Sequence, residues 1–278
     1  MTVVLFTLVL FAGAAVAGLV GSLTGLGGGV VLIPLLTLVF KVDIHYAIGT
    51  SLISVIATSS GAAAAYVKEG ITNIRLGMFL ELATTAGAIA GAMIATWVST
   101  SLIAIIFGLI LLVSAITSFI NLDEKINNEP PGVLSRFLKL NNGYPTNDGI
   151  QQYTVKNVAG GFLMMNVAGI VSGLLGIGSG ALKVLAMDKV MRIPFKVSTT
   201  TSNFMIGVTA AASAGIYLKR GYIDPGLSMP VVLGVLVGAM VGSKILFRAG
   251  TRLLKIIFAI VICFLAVEMI YNGITGKL

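Results

Sequence analysis

Residues 17–29 of this chain read AGLVGSLTGLGGG, and residues 168–180 read AGIVSGLLGIGSG. The two stretches are related by an offset of 151 residues, and this register then continues without a gap through both halves of the chain. Coincidence does not place so many identities at one offset, so the pattern predicts an internal duplication. We expect a first transmembrane repeat at 1–120, a polar connecting loop at 121–153 and a second transmembrane repeat at 154–278.

The composition places both repeats in a membrane. Of 278 residues, 57% are hydrophobic and only 10% are charged, and the mean hydropathy is +1.03. Soluble domains carry about 25% charged residues, so a soluble chain of this composition would lack a polar surface. The net charge of +8 then bears on membrane topology and on ligand preference, and we do not expect a nucleic-acid partner.

Apolar runs of two lengths follow one another along the sequence. Eight runs are long enough to cross a bilayer, whereas the runs at 28–40 and 180–191 are too short. Each short run directly follows a glycine cluster. The runs do not alternate between apolar and polar residues as strands of a β-barrel do. The sequence therefore predicts an all-α, polytopic helical bundle of two homologous halves, each with a glycine-broken or re-entrant short helix.

The number of crossings in each half decides the orientation of the second repeat. Five crossings would invert it, and four would leave it parallel to the first. In a count of ten crossings, most basic loop residues fall on one side, which favours inversion with that side cytoplasmic. We therefore expect the segments 121–153 and 248–255 to lie in the cytoplasm.

The glycine clusters call for a functional explanation. A break in a membrane helix frees backbone N–H groups at a cost of several kcal/mol each, so it persists only where it lines a cavity or binds a ligand. The following helix begins with about half a positive charge, and glycine lets an anion approach the backbone. Duplicated broken helices are typical of secondary transporters. Close helix packing is the alternative, and we favour it for Gly87/Gly91 and Gly238/Gly242.

Neither cluster is a nucleotide-binding motif, since no Gly-Lys-Ser/Thr follows and Val30 replaces the last glycine of GxGxxG. The segments GLGGGVVLIPLL and GIGSGALKVL, each followed by AIGTSL or STTTSN, resemble the TauE/SafE family of sulfite-exporter-like permeases. The resemblance spans nearly the whole chain. It implies a multi-pass protein of the inner or plasma membrane that moves sulfite, sulfoacetate, sulfonates or similar anions. Ser179 and Leu185 depart from the first cluster, where Gly28 and Pro34 stand.

Polar residues within the apolar runs complete the predicted site. Lys183 follows the second cluster by one turn, and we expect it to neutralise the anion, with pairing to an acid as the alternative. Glu81 is predicted to couple protons, or else to form a structural pair. Hydroxyls in two equivalent segments exceed what helix capping requires. The expected substrate-binding residues are Gly27, Gly28, Gly29, Thr50, Ser51, Gly178, Ser179, Gly180, Lys183, Thr201, Ser202 and Asn203.

Two other classes of function remain as alternatives. An anion channel would show rings of charge or a continuous polar lining. An enzyme would need a nucleophile and a base, whereas the chain has one histidine, His45, and one cysteine, Cys263. We therefore expect no catalytic residue, no metal and no cofactor. The expected partners are a small anionic substrate and the lipid bilayer, and the oligomeric state is open, with a homodimer as one alternative.

Overall fold

Long helices form most of the fold, which is known from a computed structural model. The structure describes residues 3–24, 28–119, 132–146, 149–246 and 251–277.

The first half contains a short helix between long ones. Gly28 precedes this short helix, and its carbonyl oxygen accepts from the amides of Val31 and Leu32 at 3.3 and 3.0 Å. The short helix continues directly into a π-helical turn. The elements are α1 (Val3–Thr24), α2 (Gly29–Pro34), the first π-helical turn (Leu35–Val39), α3 (Ile44–Lys68), α4 (Ile74–Ala95) and α5 (Thr100–Phe119).

The second half repeats this order, as the 151-residue offset predicts. It also has one short helix, which again continues into a π-helical turn. The elements are α7 (Val158–Leu175), α8 (Gly180–Leu185), the second π-helical turn (Ala186–Val190), α9 (Phe195–Lys219), α10 (Pro225–Leu246) and α11 (Thr251–Thr275).

The connecting segment is folded where the structure describes it. It contains the short helix α6 (Val133–Phe137) and an antiparallel hairpin of β1 (Asn142–Thr146) and β2 (Gly149–Tyr153). The sequence predicted only a polar loop here, because a five-residue helix and two five-residue strands show too little periodicity. Tyr153 is 3% exposed, and this burial raises the pKa of its phenol. The phenol oxygen accepts from Nδ2 of Asn73 at 2.8 Å, which fixes the hairpin to the start of α4.

The short helix of the first half runs back along α1. Phe40, which follows the first π-helical turn, packs edge to face on Phe6 near the start of α1, with ring centroids 6.0 Å apart. Gly28, before the short helix, lies near Gly18 in the second part of α1. In the second half, the amide of Lys156 before α7 donates to the carbonyl oxygen of Met191 at 3.0 Å. Both short helices are therefore re-entrant: each returns towards the side from which the preceding helix came.

The two halves pack against each other through helix pairs that follow the repeat. Helix α1 packs on α10 and α4 on α7, while α3 packs on α9 and α5 on α11. Glycines bring the backbones of these pairs together. A methyl group at Gly87 would overlap the carbonyl of Asn166, and one at Gly91 would overlap that of Ile170. The packing interpretation of Gly87 and Gly91 therefore agrees with the structure, and Gly238 packs on Ala15 in the same way.

Contacts at the helix ends give the directions of equivalent helices. His45, in the first turn of α3, stacks on Tyr222 just after α9, with ring centroids 5.0 Å apart. Helices α3 and α9 therefore run in opposite directions. A side chain at Gly273, near the end of α11, would meet the carbonyl oxygen of Ser101 at the start of α5. Opposite directions of repeat-equivalent helices favour the inverted arrangement over the parallel one.

Large apolar side chains cover the outside of the bundle. Leu82 on α4, Leu163 on α7 and Phe264 on α11 are 68%, 69% and 65% exposed. Helices α4 and α7 meet the length and hydropathy of a full membrane span, and several further apolar helices are shorter where described. Exposed leucine and phenylalanine faces on long apolar helices fit contact with lipid. The prediction of an all-α helical membrane protein is confirmed.

Candidate anion-binding site

The break before α8 is built from left-handed backbone. Gly176 ends α7 with φ +67°, and Gly178 and Ser179 follow with φ +71° and +45°. Glycine adopts these values without strain, whereas a serine pays of order 1 kcal/mol. Ser179 is 3% exposed, and its hydroxyl has no hydrogen-bond partner among the described residues. The second break therefore holds a strained residue with an unused polar group.

The two breaks lie against each other through α3. The Ser51 hydroxyl donates to the carbonyl oxygen of Gly176 at 2.9 Å. A side chain at Gly29 would collide with the same hydroxyl and lie 3.3 Å from the Gly176 oxygen. On the other side, the Ser202 hydroxyl donates to the carbonyl oxygen of Gly180 at 3.3 Å. Equivalent serines of α3 and α9 thus contact the break region, and their predicted role as anion contacts stays a prediction.

A small cavity adjoins the second break. Its lining includes Val30 of α2, Ser114 of α5, and Ser179 and Gly180. The cavity has a volume of about 10 Å³, which is about the space of one water molecule. A sulfite-sized anion does not fit in this cavity.

A buried cation and a buried carboxyl share one hydroxyl beside the breaks. Lys183 is 0% exposed and its Nζ donates to Oγ1 of Thr209 at 2.5 Å. The Thr209 hydroxyl in turn donates to Oε1 of Glu81 at 2.7 Å. Thr85 donates to the same carboxyl oxygen at 3.1 Å. The cluster Lys183–Thr209–Glu81 joins α8, α9 and α4.

The second oxygen of the carboxyl group is unoccupied. Glu81 is 8% exposed, and its Oε2 is buried without a partner among the described residues. An unpaired buried carboxylate oxygen is costly, so such an atom marks a place where a proton or a donor is accepted. This oxygen is therefore left for a hydrogen-bond donor that the described residues do not supply.

The sequence pointed to Lys183 and Glu81 but not to the residue that connects them. Thr209 lies in the middle of α9, 128 positions from Glu81. One signal was present, because the offset places Thr209 over Thr58, so a threonine stands at this position in both repeats. The Thr58 hydroxyl donates within its own helix, to the carbonyl oxygen of Ser54 at 3.0 Å. Only the second half uses the position to join two ionisable groups.

Several predicted site residues lie elsewhere. The Thr50 hydroxyl pairs with that of Ser228 on α10 at 3.3 Å, and Oγ1 of Thr201 accepts from the amide of Asn73 at 3.1 Å. These bonds fasten α3 to α10 and α9 to the start of α4. Asn203 is half-buried, and its side chain has no recorded hydrogen bond in the described part of the chain. Gly27 lies outside the described residues.

In the described ranges, no three His, Cys, Asp or Glu side chains come close enough together to hold a metal ion. His45 and Asp43 form a pair at 3.2 Å near the start of α3. Cys263 lies exposed on α11 with its thiol free.

Long helices with lipid-facing apolar surfaces around two broken helices define an integral membrane protein of the transporter class. The sulfite exporter TauE/SafE family model matches residues 10–269, and the chain belongs to that family. The resemblance found in the sequence is thereby confirmed.

Named relatives span nearly the same length. The probable membrane transporter protein YunE of Bacillus subtilis is 28% identical over 268 residues, which cover 93% of this chain and 95% of the relative. The probable membrane transporter protein YdhB of the same organism is 27% identical over 241 residues, with 86% and 89% covered. A probable membrane transporter protein of Sinorhizobium, ORF9, is 24% identical over 261 residues, with 94% and 91% covered. No solved structure matches this chain.

Proposed function

We propose that this chain is a secondary transporter for small sulfur-containing or organic anions, such as sulfite, sulfoacetate or other sulfonates. It would cross the inner or plasma membrane several times as two inverted repeats. The family is named for sulfite export, and the names of the relatives YunE and YdhB support membrane transport without specifying an anion. The observation that carries the proposal is the fully buried Lys183 one turn after the second break.

The proposed anion site lies between the two breaks, near the middle of the membrane. Each short helix and its π-helical turn span residues 29–39 or 180–190, a length of roughly 16 Å or about half of the hydrocarbon core. Ser51 and Ser202 offer hydroxyls at the two breaks, and Ser179 offers one without a partner. Gly28, Gly29, Gly178 and Gly180 carry no side chain that would shield the backbone from an anion.

A full positive charge is needed as well. Partial charges at helix ends contribute about 0.3–1 kcal/mol each when exposed and up to about 2 kcal/mol when partly buried. That is too little to desolvate an anion in a membrane. An ammonium group supplies a full charge and three donors, and Lys183 lies in the short helix that begins at the second break.

Competition between the carboxylate and the anion would couple transport to protons. In this structure Glu81 carries the negative charge that compensates Lys183, and the Thr209 hydroxyl connects the two side chains. An arriving anion supplies that charge instead. The carboxylate is then buried without a cation, so it takes up a proton from the water that enters with the anion. One proton, taken up by the single displaced carboxylate of Glu81, would move with each bound anion.

The small volume of the cavity beside the second break favours a proton-coupled transporter over an anion channel. A channel requires a continuous polar path, whereas the described cavity at the break has room for one water. Binding and release would then require the helices around the breaks to move.

A binding experiment on the purified full chain tests the proposal. We expect sulfite, sulfate, sulfonates or carboxylates at millimolar concentration to raise the thermal stability by RT ln(1 + [L]/Kd). In Lys183→Ala, the affinity for the stabilising anion should fall at least tenfold, about 1.4 kcal/mol. Lys219→Ala, an exposed lysine at the end of α9, is the control. Unchanged affinity in folded Lys183→Ala protein contradicts the proposed site.

A second measurement separates the coupling role from a structural one. Glu81→Gln mimics the protonated acid, so it should abolish pH-dependent uptake into liposomes and retain anion exchange. Removing one member of a buried charge pair costs about 3–5 kcal/mol, so the stability of Glu81→Gln must be measured too. The double variant Lys183→Met/Glu81→Gln removes both charges and should recover stability without recovering transport. Recovery of uptake in the double variant contradicts the coupling mechanism.

A further inference from the structure

A second polar cavity lies outside the bundle, between the start of α4 and the connecting segment. Its volume is about 370 Å³. The α4 side contributes the turn before the helix and its first residues, and the other wall is the chain between α6 and β1. The residues that line it include Thr72, Ile74, Arg75, Lys139, Asn141 and Asn142.

The charge of the cavity wall is positive. Arg75 and Lys139 are both exposed, and no acidic residue lines the cavity among those that the structure describes. One guanidinium nitrogen of Arg75 donates to the carbonyl oxygen of Lys139 at 3.4 Å, which holds the side chain across the cavity. An arginine has five N–H donors in a planar fork, so the remaining donors are available to a ligand with several oxygens.

The neutral groups of the wall are also arranged as donors. Oδ1 of Asn141 already accepts from the Ser135 hydroxyl at 2.6 Å and from the Val155 amide at 2.9 Å. Its amide NH₂ is therefore the group left for another partner. The hydroxyl of Thr72 is buried, and the described residues offer it no hydrogen-bond partner. This hydroxyl lies beneath the surface of the cavity, and two cations and an amide at that surface match an oxyanion with several acceptor oxygens.

We propose that this cavity binds a tetrahedral oxyanion group, namely a phosphate, sulfate or sulfonate. Two sources share this chemistry. The cavity adjoins the first turn of α4, one of the helices that fit a full membrane span, so a lipid phosphate headgroup can reach it. A free anion can reach it through water, because Arg75 and Lys139 are exposed.

The site is independent of the duplicated breaks. The offset of 151 places Ile223, Asp224 and Gly226 over Thr72, Asn73 and Arg75, so the second half lacks both the hydroxyl and the cation. The cavity nevertheless connects to the transport machinery. Asn73 accepts from the amide of Leu76 at 3.0 Å and so caps α4, the helix that carries Glu81. A bound oxyanion would stiffen this end of α4.

A local probe tests the proposal without relying on the transport site. Ile74 is an apolar residue of the cavity wall and is 39% exposed, so Ile74→Cys adds a thiol without removing a ligand. The native thiol is removed by Cys263→Ser. The rate of maleimide labelling of the full chain in detergent is then measured with inorganic phosphate and with chloride at equal ionic strength. A second arm compares micelles containing phosphatidylglycerol with micelles containing phosphatidylcholine.

We expect phosphate, phosphatidylglycerol or both to slow labelling at least threefold. Slowing by phosphatidylglycerol alone assigns the lipid headgroup as the source, and slowing by phosphate alone assigns the free anion. The added pair Arg75→Gln/Lys139→Gln should abolish the protection. Arg136→Gln, an exposed cation of α6 outside the cavity lining, should leave it intact. No protection in either arm, or protection that survives the double substitution, overturns the proposal.

Discussion

The two breaks occupy equivalent positions but use different backbone. Gly28 precedes α2 in the right-handed region, with φ −64° and ψ −19°. Its counterpart Ser179 precedes α8 in the left-handed region, with φ +45° and ψ +33°. Glycine, which tolerates left-handed backbone, stands at the right-handed position. Serine, which is strained in left-handed backbone, stands at the left-handed position. The local preference of Ser179 is therefore overridden by the surrounding structure.

The comparison extends along the short helices. Pro34 ends α2 and Leu185 ends α8, yet both helices continue into a π-helical turn. The missing proline therefore does not change the backbone of the second half. Leu32 and Lys183 are also equivalent, and both are fully buried. The halves retain one backbone plan, and the second half adds a charge and an unpaired hydroxyl to it.

The largest expected effect concerns the orientation of the halves. Lys68 and Lys219 are repeat-equivalent, exposed, and each ends its helix. In a Cys263→Ser background, an impermeant maleimide should label Lys219→Cys in intact cells and Lys68→Cys only after permeabilisation. The physical reason is that inverted repeats place equivalent positions on opposite sides of the membrane. Labelling of both from the same side would establish the parallel arrangement.

The next effect distinguishes the two serines at the breaks. Ser51→Ala leaves the buried carbonyl of Gly176 without its 2.9 Å donor, so we expect a loss of about 1–3 kcal/mol in the free energy of unfolding. Ser202→Ala removes a 3.3 Å bond and should cost less than about 1 kcal/mol. Thermal unfolding in detergent gives the order. Both bonds end on the second break, so equal losses would show that the two serines stabilise it equally.

The smallest expected effect makes the second break resemble the first. Ser179→Gly relieves a left-handed serine and removes a buried, unpartnered hydroxyl. We expect a gain of about 1 kcal/mol in stability. If the hydroxyl contacts the anion, the affinity for the anion falls in the same variant. Gly28→Ala is the matched control, because its backbone is right-handed and a methyl group there meets Val235 at 3.0 Å and Gly18 at 3.8 Å. A loss of stability in Ser179→Gly would mean that the serine has a stabilising partner.

The sequence identified many residues of the proposed site but did not predict which of them contact each other. Lys183 and Glu81 stood out because a charged residue within an apolar run is costly wherever it lies. Their connection through Thr209 depends on the packing of α4, α8 and α9, which no local pattern encodes. Thr50 and Thr201 share the hydroxyls and the repeat position of a ligand site, yet these hydroxyls bond to Ser228 and Asn73. A hydroxyl's partner is decided by the neighbouring helix.

The sequence by itself determined that this is an all-α membrane protein of the TauE/SafE family with a duplicated, glycine-broken plan. Hydropathy is a sum over residue types, and a duplication is found by aligning the sequence with itself. Neither requires knowledge of contacts between residues that are far apart in the chain. Tertiary structure alone decided the backbone at Ser179, the cluster Lys183–Thr209–Glu81 and the folding of the connecting segment onto Asn73. Each of these depends on groups far apart in the chain, whose distances are set by helix packing rather than by their own residue types.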